Sequence, residues 1–321
     1  MLRCVVLDDY QDIALASAEW GALAGRVEIR VLREHVADRV ALARMLADAQ
    51  VVVAMRERTP FDRVLLEQLP ALRLLVTTGM RNASIDIVAA RQRGVTVCGT
   101  RSFPGTAAEL TWALILAIMR ELPQGIDDMR AGRWQTGIGR SLRGATLGVV
   151  GLGNVGQRVA SIARAFEMRV VAMSRSLTDG RAAELGVERA AALSDLLRGS
   201  DVVTLHVTLG TETRGLIGAR ELATMKPTAY LVNTSRGPVV DEQALVAALR
   251  DGRIAGAALD VYDREPLPDE HPFRSMRNVI ATPHVGYVTR ENYRVFYGDA
   301  VEDIAAWIGG NPLRVLGDGG K

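Results

Sequence analysis

The chain has 321 residues, enough for two domains with sizeable cores. Hydrophobic residues make up 48% and charged residues 24%, a balance that excludes a disordered or fibrous chain. The net charge of +2 comes from 39 basic and 37 acidic residues interleaved along the sequence, so no basic stripe offers itself to nucleic acid.

Cys4 and Cys98 lie in or beside apolar runs. With no C-x-x-C or metal-ligand spacing, they read as lone thiols of a reducing compartment, and no metal site is expected. The chain opens on a strand-like run rather than a signal peptide, and the longest apolar run, 110–119, is too short to span a bilayer. A cytoplasmic protein without a membrane partner is the expectation.

In chain order, the first hundred residues alternate predicted strands at 2–7, 27–32, 50–55, 72–76 and 95–97 with predicted helices at 11–18, 37–47, 61–68 and 85–91. Such alternation predicts a parallel, doubly wound sheet. A helix over 106–120, apolar on nearly every face, is expected to be buried between layers or domains. Residues 121–145 carry Pro123, several glycines and weak periodicity, and read as a long arm or loop of the kind that serves an interface or a site. A second series follows, with strands at 146–150, 169–173, 201–205, 229–232, 254–259 and 278–281. Helices at 154–166, 180–185, 193–197, 219–223 and 242–250 fall between them. The last helix, 291–308, lies beyond that series.

The first motif with a chemical reading is Gly151-Leu-Gly-Asn-Val-Gly156, between the strand 146–150 and a helix. Strand, G-x-G-x-x-G and helix together read as a dinucleotide site. Gly151 permits the turn, Gly153 lets the backbone approach a pyrophosphate, and Gly156 lets the helix pack closely. With Asn154 and Val155 they place the pyrophosphate at a helix N-terminus. At the end of the next strand, where an acid would grip the ribose of NAD, stand Ser174, Arg175 and Ser176. A guanidinium there suits a 2′-phosphate, which favours NADP(H) over NAD(H); the alternative is a solvated arginine and NAD.

Further on, strand ends deliver Arg236, Asp260 and His284 to one rim, with Glu265 close behind Asp260. An arginine, two acids and a histidine converging on one edge read as a catalytic constellation.

At this point the sequence resembles the D-isomer-specific 2-hydroxyacid dehydrogenases, with a likeness to the glyoxylate/hydroxypyruvate reductases. The resemblance rests on the glycine loop, Asn233-Thr-Ser-Arg-Gly-Pro238, Ala258-Leu-Asp-Val-Tyr262 with Glu265-Pro266, and Thr282-Pro-His-Val-Gly286. It implies an α/β chain of two doubly wound parallel-sheet domains. A Rossmann dinucleotide-binding domain, 102–285, would be inserted into a flavodoxin-like substrate domain, 1–101 and 286–321. It further implies hydride transfer between NAD(P)H and a 2-ketoacid or D-2-hydroxyacid, acting as a 2-ketoacid reductase. Arg236 would clamp the substrate carboxylate and carbonyl oxygen, His284 would move the proton, and Glu265 would orient the imidazole and favour its charged form.

Asp260 looks like the residue that holds the nicotinamide carboxamide, with Thr234, Thr106 and His206 near the cofactor. For His206 a satisfied structural histidine weighs as much. In the first domain, Thr78, Gly79, Met80 and Arg81 resemble the family's amide loop for the substrate carboxylate, the amides of Gly79, Met80 and Arg81 forming a small anion nest. Arg81 stands where the family usually has glycine, and Ala83-Ser84 replaces a common Asp-Asn. Arg56 or Arg81 would read a second anionic group, or merely form salt bridges. Tyr287, with Tyr10 and Met80, would shape a bulky pocket wall. The family likeness and the 121–145 arm together imply a homodimer through the nucleotide domain. The competing reading is a non-catalytic NAD(P)(H)-sensing protein of the corepressor type on the same fold.

Overall fold

A computed structural model describes residues 1–317 of the chain, which divide into two compact units: Met1–Pro104 with the chain from Val288 onward, and Gly105–Tyr287. In the first unit β1 (Leu2–Val6), β2 (Val27–Val31), β3 (Val51–Ala54), β4 (Leu74–Thr77) and β5 (Thr96–Gly99) alternate with α1 (Arg39–Leu46), α2 (Arg63–Glu67) and α3 (Ile87–Gln92). All strands pair in parallel in the order β2-β1-β3-β4-β5, the flavodoxin-like winding that reverses between β1 and β3. β3 and β4 are buried at every residue, as strands covered on both faces must be. Asp38, Asp62 and Asp86 cap the three helices by accepting from backbone amides.

The helix expected at 11–18 does not form. Only 3-10 turns at Leu15–Ser17 and Trp20–Leu23 appear there. The Asp9 carboxylate accepts from the amides of Ile13 and Ala14, and Trp20 Nε1 donates to the Ala14 carbonyl, so local bonds replace the helical ladder.

The second unit opens with α4 (Thr106–Met119) and α5 (Leu122–Arg130). It continues through β6 (Thr146–Val150), α6 (Asn154–Ala165), β7 (Arg169–Met173), α7 (Asp179–Leu185), β8 (Glu188–Arg189), α8 (Leu193–Gly199), β9 (Val202–Leu205), α9 (Ala219–Thr224), β10 (Tyr230–Asn233), α10 (Glu242–Arg250), β11 (Gly256–Leu259) and β12 (Val279–Ala281). Its parallel sheet runs β12-β11-β10-β9-β6-β7-β8, the Rossmann order with one strand added beyond the sixth. α4 lies in this unit's core, where Trp112 Nε1 donates to the Val159 carbonyl.

Two elements of this unit depart from the sequence expectation. β8 is a polar, exposed edge pair with no apolar alternation to announce it. Part of the expected arm is α5, with Pro123 tolerated in its first turn. Its apolar residues Leu122, Ile126 and Met129 do keep helical spacing, but all three are exposed.

The last helix, α11 (Arg290–Ile308), belongs to the first unit and buries Tyr293, Phe296, Tyr297, Ala300 and Ile304 there. Beyond it the chain returns to the β5 edge: Gly99 donates to the Arg314 carbonyl, and the Leu316 amide donates to Val97. Among the described residues no helix is long and apolar enough to cross a membrane.

Candidate active site

In the second unit the glycine loop leaves β6 at Gly151, whose φ is +93°. A Cβ there would lie 2.5 Å from the His206 carbonyl oxygen, so only glycine fits the turn. At Gly156 a Cβ would lie 2.1 Å from the Gly151 oxygen, which is how closely α6 packs on the strand end. Gly153, by contrast, faces open space, and no side chain caps α6. An open glycine step before an uncapped N-terminus is what a pyrophosphate requires, so Gly151, Gly153, Asn154, Val155 and Gly156 fit a dinucleotide.

Ser174, Arg175 and Ser176 follow β7 directly. Arg175 Nη1 donates to Glu212 Oε2 at 2.5 Å, an acid that sequence spacing does not place near the second strand because it arrives on the loop after β9. His206 packs its backbone against Gly151, and its Nε2 pairs with Thr204 Oγ1 at 3.0 Å. Burial pushes its pKa down to about 4, so the ring is neutral near pH 7.

The turn after β10 is built on Asn233. Its side chain donates to the Arg236 carbonyl at 2.9 Å and accepts from the amide and hydroxyl of Ser235. That turn presents Arg236, half-buried, with Nη1 donating to the Ser235 carbonyl. Thr234 is fixed through its hydroxyl to Thr111 on α4, at 2.8 Å.

The loop after β11 and the turn after β12 bring Glu265 and His284 together, with His284 Nδ1 and Glu265 Oε2 2.5 Å apart. Glu265 Oε1 accepts from the Tyr262 amide at 3.0 Å. An ionised carboxylate only accepts, so Nδ1 carries the shared proton and Nε2 is the nitrogen turned to chemistry. His284 itself holds φ +52°. Asp260, almost fully buried, accepts from Thr282 Oγ1 at 2.6 Å and from the amides of Val285 and Gly286 at 2.8 Å each. Its carboxyl therefore fastens both sides of the His284 turn, while burial pushes its pKa upward. Thr106 opens α4, whose first turn lies beside Gly286, and Tyr287 meets the His284 ring edge-on with centroids 5.4 Å apart.

Two further residues brace the loop that carries Glu265. His271 Nδ1 accepts from the Phe273 amide at 3.3 Å, so its Nε2 donates to Glu242 Oε1 at 3.1 Å; the other Glu242 oxygen accepts from the Asp263 amide. His271 caps the 3-10 turn Pro272–Arg274, and its place immediately before Pro272 is the sequence signal for it.

In the first unit, Arg56, Thr78 and Gly79 come together at the ends of β3 and β4. The Arg56 amide donates to Thr78 Oγ1 at 2.9 Å and its Nη1 to the Thr78 carbonyl at 3.2 Å. Gly79, at φ +90°, lies beneath that guanidinium. The expected three-amide nest needs correction, because the Gly79 amide already donates to Thr100 Oγ1 at 2.8 Å. The amides of Met80 and Arg81 are what remain of it, and both side chains are exposed. A neighbouring cluster went unforeseen: Asp8 accepts from Thr59 Oγ1 and pairs with His35 Nδ1, while Arg58 covers the Tyr10 ring at 4.4 Å.

The model of the D-isomer specific 2-hydroxyacid dehydrogenase NAD binding domain matches residues 112–286. A glyoxylate reductase from Aeropyrum pernix is 44% identical over 265 residues, 78% of each chain. A D-3-phosphoglycerate dehydrogenase from Methanocaldococcus jannaschii is 35% identical over 91% of this chain and 54% of its own. Among solved structures, a phosphoglycerate oxidoreductase from Vibrio cholerae superposes with a TM-score of 0.92 at 36% identity, covering 97% of this chain and 100% of that one.

Proposed function

The chain belongs to the D-isomer specific 2-hydroxyacid dehydrogenase family, and from that premise we propose that it reduces a small 2-ketoacid to the D-2-hydroxyacid with NADPH as the preferred donor. The observation that carries this reading is the 2.5 Å contact between His284 Nδ1 and Glu265 Oε2, beside the strand end that presents Arg236. A nicotinamide cofactor supplies the hydride. Gly151 to Gly156 would hold its pyrophosphate, Arg175 with Ser174 and Ser176 its 2′-phosphate, and Thr234 and Thr106 the site's inner wall.

Arg236 neutralises the ketoacid carboxylate and polarises the carbonyl oxygen. His284, protonated, donates from Nε2 to that oxygen as it gains charge, and Glu265, accepting from Nδ1, holds the ring in place. Asp260 keeps the His284 turn rigid, which leaves the nicotinamide carboxamide as a further partner for its oxygens. Residues 1–101 and 286–321 would bind substrate and 102–285 the cofactor. Arg56 and the Met80 and Arg81 amides would supply anion donors, and Tyr287 a pocket wall. The exposed apolar residues of α5 support a homodimer, and two buried free thiols suit a reducing cytoplasm.

NADPH oxidation over a panel of glyoxylate, hydroxypyruvate and phenylpyruvate tests the reading. Turnover of at least one is expected. Cofactor binding without turnover on any ketoacid would support the sensor reading instead.

A further inference from the structure

Glu212 belongs to the loop after β9, and Arg175 to the turn after β7; both strands flank β6 in the parallel sheet. Their side chains meet at the carboxyl edge although they lie 37 residues apart in sequence. In a Rossmann sheet the end of the second strand faces the adenosine ribose, where an acid accepts from the 2′-hydroxyl and an arginine grips a 2′-phosphate. Sequence spacing supplies only the arginine; folding brings the acid to it.

The pair is open to solvent, with the side chains 87% and 69% exposed, so the ion pair is weak and exchangeable. Its two halves want different ligands. A 2′-phosphate must take Arg175 away from Glu212 and then stand beside an unneutralised carboxylate. A free 2′-hydroxyl can donate to Glu212 while the ion pair stays closed.

We propose that Glu212 is a cofactor-selectivity residue: it competes with the 2′-phosphate for Arg175 and accepts from the ribose hydroxyl of the unphosphorylated cofactor, so that one site admits both. This rests on the reading of Arg175 as the 2′-phosphate ligand.

The test is binding without substrate, followed by nicotinamide fluorescence as NADPH or NADH is titrated into the parent, Glu212→Gln, Glu212→Asp and Arg175→Ala. Glu212→Gln should tighten NADPH and weaken NADH, shifting the ratio of dissociation constants about tenfold, the scale of removing one charge beside a dianion and one charge-assisted hydrogen bond. Glu212→Asp, which keeps the charge, should stay within about threefold of the parent on the same scale. Arg175→Ala should weaken NADPH selectively. An unchanged ratio in Glu212→Gln, or a shift toward NADH, overturns the inference whatever Arg175→Ala does. Unchanged NADPH affinity in Arg175→Ala overturns the reading of Arg175 itself.

Discussion

Two histidines of the second unit stand at strand ends, and their surroundings give them opposite chemistry. His284 shares a proton with Glu265, whereas His206 has only a threonine hydroxyl and a desolvated pocket that pushes its pKa down to about 4. Its charged form is therefore populated only below about pH 4. His206→Gln should leave the shape of the kcat/KM profile between about pH 5 and pH 9 unchanged, since general acid–base limbs report only groups that titrate there. A lost ionisation in that window would make His206 a proton carrier.

At this scale the sequence was most informative where a residue sits at the end of a strand. Arg236 and His284 follow strand ends, which share an edge in a parallel sheet, and Glu265 comes shortly after another; their catalytic roles are what the family likeness implies. Glu212, Glu242 and His271 could not be named from the sequence, because each meets its partner through a loop whose path is set by packing rather than by spacing. The Gly79 amide is not open to an anion because Thr100, directly after β5, already accepts from it.

Among the elements, long apolar strands and capped helices were legible to within a few residues, and the polar or locally hydrogen-bonded pieces were not. β8 and the turns at 11–18 fall in the second class, as does the return of the chain to β5. That return is tied by Arg314, which donates to Asp303 Oδ1 at 3.1 Å, to Glu302 and to the Asp299 carbonyl. Asp303 is fully buried, and its second oxygen has no hydrogen-bond partner among the described residues.

Burial pushes the Asp303 carboxyl from its ordinary 3.8 up to about 7 despite the pull of Arg314, with Asp299 and Glu302 adding to the rise. The folded chain thus holds this proton more tightly than the unfolded chain does. Asp303 contributes stability that is fully present below about pH 4 and is lost as pH rises through about 7. Between pH 5 and pH 8 the parent should lose on the order of 2 kcal/mol of unfolding free energy that Asp303→Asn does not lose. Denaturant midpoints at the two pH values decide it; parallel curves for parent and variant would contradict the assignment.

For the whole molecule, the doubly wound architecture followed from strand and helix alternation, and the Rossmann order from the position of one glycine loop. The second unit also displays apolar side chains without cover in the described chain. Leu122, Ile126 and Met129 on α5 are 47%, 51% and 58% exposed, and Trp134 and Ile138 beyond it 74% and 90%. The homodimer we propose would cover this run. Light scattering should give a dimer mass for the parent and a monomer for Ile126→Glu with Met129→Glu, at unchanged helical content. A monomeric parent, or a variant that stays dimeric, would remove this segment as the interface.

The proposed reaction rests on one imidazole held by one carboxylate. The most direct measurement is kcat/KM for NADPH-dependent reduction of the best ketoacid by the parent and by His284→Ala. A loss of about a hundredfold or more is expected, the contribution of a positioned general acid, with cofactor affinity retained. A loss of less than about tenfold on the same scale would contradict it.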